Sequence, residues 1–197
     1  MVPALPAIAD AEVTMENSFL AVSVHPEDST FTVTSKNTGE VLAAEARFSR
    51  KARPAQTGTL KSGETQAVRI SDSIWGEGSE ISVQHEDGSR SSLRLFDDQP
   101  FLAVHLSVHN RSNEPLVLTS VDVLEMDVTL GGQSLMSYGT GGLTEPSEEQ
   151  GSYSFHAFVN GDSRNGLVTG WLTHERGVGV FFPSAGAEEN TGKLKTQ

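Results

Sequence analysis

The 197-residue chain contains no cysteine. Disulfide staples, thiolate nucleophiles and Cys-based zinc sites are therefore excluded, while the cellular compartment stays open. Basic residues are scarce: 14 Lys and Arg against 26 Asp and Glu leave a net charge of −12. Phosphate backbones and anionic bilayers are held by clustered Lys and Arg, so neither nucleic acid nor a membrane is an expected partner. No apolar run approaches the ~20 residues of a membrane-spanning helix. Only two Trp and two Tyr are present.

What the chain does have is glycine (19), proline (8) and short alternating apolar runs. That composition suits many strands joined by turns. Leu20, Val22 and Val24 alternate, as do Phe31 and Val33, and Leu102, Val104, Leu106 and Val108 share one face of a strand over 101–109. Asp87-Gly88 between two alternating runs is a hairpin signal. Residues 43–47 favour helix by composition but read as strand in context. Residues 50–63 and 139–151 read as loops. Leu116 to Leu130, apolar on both faces in its middle, reads as a central strand covered on both sides or as one bent by a bulge, and Ser152 to Val159 as one strand. The expectation is an all-β fold: a large antiparallel β-sandwich (a supersandwich) of about 11–12 strands with little or no helix. Residues 1–12 are expected to be disordered, 13–184 to form a single sandwich domain, and 185–197 to be a polar tail or the start of a linker to a catalytic domain.

No motif completes a catalytic site. His105 and His109 are four apart, which on a strand separates them by roughly 13 Å, too far for one metal ion. His174-Glu-Arg-Gly177 lacks the second His of a zinc-protease helix, since Val178 stands there. Asp97 and Asp98 are adjacent, so on a strand they would face opposite sides. Nothing in Glu145, Glu148 and Glu149 imposes the convergence that calcium needs. Gly132-Gln-Ser134 has no closing glycine for a nucleophile elbow. No catalytic residue, metal ligand or cofactor is therefore assigned. The candidate substrate-binding residues are Trp75, beside Gly76-Glu-Gly78, and Tyr138, at the mouth of a Gly-rich loop, because sugar rings stack on exposed aromatic faces. For Trp75, a core anchor and a sugar platform weigh about equally. Trp171, expected within a strand, reads as a core anchor.

Three segments carry a family resemblance. Phe31-Thr-Val-Thr-Ser-Lys-Asn-Thr-Gly-Glu-Val-Leu42 resembles an early strand, turn and strand. Phe96 to Leu116 is similar to a long central strand ending in Asn. Gly170-Trp-Leu-Thr-His-Glu-Arg-Gly-Val-Gly-Val-Phe-Phe182 resembles a closing hairpin, two strands folded over a turn at His174 to Gly177. In this order they resemble the N-terminal β-sandwich domain of α-galactosidase and raffinose-synthase type glycoside hydrolases, a galactose-mutarotase-like sandwich. The resemblance implies a non-catalytic module that packs on a catalytic barrel of the same polypeptide and works in carbohydrate metabolism. The family's catalytic aspartates lie on the barrel, so none is carried over. The family's sugar-facing loop corresponds to Leu135-Met-Ser-Tyr-Gly-Thr-Gly-Gly142, where only Tyr138 is aromatic.

Two other readings stand beside this one. A free-standing carbohydrate-binding or adhesion module predicts an exposed aromatic platform. A mutarotase-like epimerase needs a His and a carboxylate in one cleft, with His105, His109, His156 or His174 as the His. An oligosaccharide and a second copy of the chain complete the candidate partners.

Overall fold

A computed structural model describes residues 12–26, 30–53, 62–85, 88–110, 113–132, 134–174 and 177–197. They form sixteen strands and no helix, in antiparallel sheets, as an all-β sandwich requires. The expected segment 1–12 lies outside the described residues except for Glu12.

One sheet has eight strands. In spatial order they are β1 (Val13–Glu16), β2 (Leu20–His25), β3 (Thr30–Ser35), β4 (Val41–Arg53), β9 (Ser120–Thr129), β16 (Thr191–Thr196), β15 (Val180–Ala185) and β12 (Ser152–Tyr153). Pairing register places Val22, Val33, Ala43 and Val128 in one row, and Met126 beside Leu194. Side chains alternate between faces along a strand, so these residues share the inner face. All of them are buried in one hydrophobic cluster.

Two four-stranded sheets cover that face. The first is β5 (Ser62–Asp72), β6 (Gly76–His85), β7 (Arg90–Phe96) and β8 (Leu102–Ser107). The second is ordered β11 (Gly142–Thr144), β10 (Leu135–Gly139), β13 (Phe155–Asn160) and β14 (Gly166–Gly170). Ile81, Leu93 and Leu95 from the first, and Leu135 and Phe158 from the second, enter the same buried cluster. The Phe158 ring and Leu135 lie against the backbone of Gly192 in β16, where an added Cβ would stand 2.7 Å from the ring.

The alternation located strands but not their partners, and several expectations are corrected on that point. The closing hairpin does not form. Its first strand, β14, pairs with β13 in a small sheet, while its second, β15, pairs with β16 and β12 in the large one. The expected polar tail contains β16, held between β9 and β15 with Leu194 fully buried. Its Thr-Gly-Lys-Leu-Lys-Thr sequence alternates, but one apolar residue in six gives a weak signal. The expected strand over 152–159 is two strands, broken where Ser154 adopts φ 68° and the chain crosses between sheets. Thr119 and its predecessors from Leu116 are not strand, and Val117 is 80% exposed. The 50–63 loop is strand through Arg53 and again from Ser62; residues 54–61 lie outside the described ones. The 139–151 loop contains β11.

The helix-favouring run at 43–47 is a β-bulge. Glu45 has φ 49°, and the pairing of β4 with β9 shifts register between Ala44 and Arg47. An extra residue there turns both Ala43 and Ala46 into the core, which strict alternation would forbid. The β6–β7 hairpin does form, in unbroken register from Gly78–Phe96 to Gln84–Arg90, with Gly88 at φ 79°; Glu86 and Asp87 lie outside the described residues.

Candidate functional site

Trp75 closes the β5–β6 turn. Asp72 Oδ1 accepts hydrogen bonds from the Ile74 and Trp75 amides at 2.8 and 3.0 Å, and these hold the Asp72 carboxyl below the usual range. Gly76 continues the turn at φ 84°, where a side chain would be strained. The indole meets Phe101 edge-on at 5.0 Å and lies 6.4 Å from the Phe96 ring. Phe96 is buried on the sheet face pointing away from the main core, because its strand neighbour Leu95 points inward. Trp75 and Phe101, both half-buried, form a lid over it. Trp75 is thus neither a free platform nor a residue of the main core.

The same outer face carries an ion-pair network. Glu80 is buried to 4% exposure and sits opposite Arg94. Its Oε1 accepts from Arg90 Nη2 and its Oε2 from Arg94 Nε, each at 2.5 Å. On the other face, in the row of Ser79 and Leu95, Arg69 donates two parallel bonds to Asp97, at 3.0 and 2.7 Å, and this holds the Asp97 carboxyl low. Asp97 is engaged in a sheet-edge ion pair, and Asp98 is exposed.

Tyr138 lies on the other small sheet, so the structure does not bring the two candidate aromatics onto one element. Register aligns Leu143, Tyr138, Ala157 and Val168 across β11, β10, β13 and β14, with Met136 and Val159 in the next row. Phe155 stands on the same face, its ring 5.9 Å from that of Tyr138. No charged residue is placed on this face by the pairing. Val168 is 72% exposed, Leu143 59%, Tyr138 48% and Phe155 37%. An antiparallel sheet with one covered face normally presents polar residues on the other. Here the uncovered face is apolar, the kind of contiguous patch that marks an interaction surface. The sequence contained a signal for it: in Phe-His-Ala-Phe-Val-Asn of β13, positions of both parities are apolar.

The opposite face of the same sheet holds His156, 1% exposed. Its Nε2 shares a 2.8 Å hydrogen bond with buried Ser137 Oγ, and its Nδ1 has no partner among the described residues. The ring meets Phe158 edge-on at 4.6 Å, and burial pushes its pKa down to about 4. This is a neutral core imidazole. The second buried histidine, His85, likewise has a serine at Nε2, Ser91 Oγ at 2.8 Å. His105, His109 and His174 are exposed. Among the described residues, no group of three or more His, Asp or Glu converges as metal ligands would. Trp171, just beyond β14, is half-buried against the core, covers Gly179 and lies 6.0 Å from Phe181, as an anchor would.

Two surfaces of different chemistry thus emerge on the two small sheets, one apolar around Tyr138 and one polar and aromatic around Trp75. No protein-family model, no curated protein and no solved structure matches this chain.

Proposed function

We propose that the chain is a non-catalytic β-sandwich module of a glycoside hydrolase of α-galactosidase type, and that it supports a catalytic barrel belonging to the same polypeptide. The observation that carries this reading is the uncharged apolar face of β11, β10, β13 and β14. A solvated sheet face gains nothing from Val168, Leu143 and Tyr138 at the exposures they show, whereas a face covered by a partner domain gains roughly 25 cal/mol per Å² of apolar surface removed from water.

The test is the coding sequence beyond Gln197 together with the behaviour of the full-length product. A continuation encoding a barrel is expected, and Val168→Lys in the full-length enzyme should leave the sandwich folded while loosening its contact with the barrel, seen as faster proteolytic separation. A stop codon directly after Gln197 removes the reading.

A further inference from the structure

We infer that the outer face of the β5–β8 sheet binds a neutral saccharide, with Arg90 and Arg94 as hydrogen-bond donors and the Trp75–Phe101 lid as the apolar wall. The inference rests on the sugar-enzyme reading for its ligand class, but the residues stand on a different sheet from the proposed docking face.

The argument begins with Glu80. Its carboxylate accepts one bond from each arginine and is itself shielded from solvent. A guanidinium has five N–H donors, so four remain on each arginine, and neither makes another bond among the described residues. The two side chains are 52% and 43% exposed, so these donors face outward. Ordinary surface arginines have spare donors too, but they are mobile and lose rotamer freedom when they bind. Here both are already anchored to one buried carboxylate, which lowers that cost.

Charge selects the ligand. Arg90 and Arg94 are matched by Glu80 and Asp72, so the face is close to neutral within a chain of net charge −12. An anion meets no surplus of positive charge there. What is in surplus is donors: both Glu80 oxygens are taken by the arginines, and Asp72 Oδ1 by two amides. A polyol supplies acceptor oxygens without charge. Arg94 and Phe96 are two apart on β7, so the donors and the lid over Phe96 lie about 7 Å apart. A pyranose ring, with an apolar C–H face and vicinal hydroxyls, spans that interval. The aromatic surface receives the C–H face, and the fixed guanidinium fork matches two adjacent hydroxyls.

The experiment is a titration of the whole chain, followed by the indole N–H resonances of its two tryptophans. Neutral hexose and pentose oligosaccharides are compared with trigalacturonate at about 10 mM, a range suited to a weak single-ring site. The Trp75 signal should move with at least one neutral sugar while the signal of Trp171, whose ring N–H is buried, stays. Arg94→Gln, with Arg90 still holding Glu80, should weaken binding roughly tenfold. A response to trigalacturonate alone would overturn the neutral-ligand assignment. No shift of Trp75 with any sugar, or binding unaffected by both Arg90→Gln and Arg94→Gln, overturns the site. Such a failure leaves the barrel reading standing, because that depends on the gene's continuation. Sugar binding without an encoded barrel would separate the two in the opposite direction.

Discussion

Acid should destabilise this protein through His156 well before its carboxylates are titrated. The imidazole lies between the small sheet and the large one, 1% exposed, with Ser137 as its hydrogen-bond partner and Phe158 against its ring. Its pKa is about 4 when folded, against about 6.5 in an unfolded chain. Between these values the unfolded state binds more protons than the folded one. The stability contributed by keeping the ring neutral is therefore complete above about pH 6.5, falls as pH drops, and is exhausted below about pH 4. At 1.36 kcal/mol per pH unit, the loss across that window is about 3 kcal/mol, a large share of the 5–15 kcal/mol typical of a domain. Urea unfolding midpoints at intervals from pH 7.5 to 4 would reveal it. The reference is the double variant Ser137→Ala/His156→Phe, in which both polar partners become apolar so that neither is left stranded. Wild type should lose about 3 kcal/mol more than the double variant over the window. Parallel curves for the two proteins would refute the reasoning, as would a His156 ring signal titrating near pH 6.5.

Further expectations concern the strands and the exposed face. Leu194→Pro should abolish cooperative thermal unfolding, because it removes a ladder hydrogen bond between two neighbours and empties a fully buried site; a variant melting like wild type would mean that β16 is dispensable. Gly192→Ala places a methyl 2.7 Å from the Phe158 ring and should cost about 1–3 kcal/mol in urea titrations. Phe158→Ala should cost about 3–5 kcal/mol by the same measurement. Val168→Lys should change the stability of the isolated chain by less than about 0.5 kcal/mol, since the side chain is 72% exposed; a large loss would show that the face is covered in the free protein.

The all-β class was legible because alternation is a local property. Leu20 to Val24, Phe31 to Val33, and Leu102 to Val104 occupy the strands and faces that their spacing predicts. The β6–β7 hairpin was legible because the turn residues and both strands are contiguous. Pairing between distant strands was not. Nothing in Gly166 to Gly170 says that its partner precedes it, nor in Val180 to Ala185 that its partner follows. β16 was hidden because its two lysines and two threonines read as solvent-seeking, while the buried face needs only Gly192, Leu194 and Thr196. Of the candidate aromatics, both are half-buried or exposed, but they stand on separate sheets. The arginines that flank Trp75 across the face were invisible, because Glu80, Arg90 and Arg94 meet only once two strands are in register.

The interleaving of the large sheet also bears on how the chain is made. β9 sits between β4, which precedes it, and β16, more than sixty residues later. During synthesis β4 and β9 can pair early, but the far edge of β9, with Met126 and Val128 facing the future core, stays open until residue 196 has left the ribosome. Such long-range pairing is slow, and open apolar edges invite association between nascent chains. The protein should therefore depend on chaperones or low temperature for soluble yield more than its final packing suggests, and fragments ending before β16 should accumulate as aggregates.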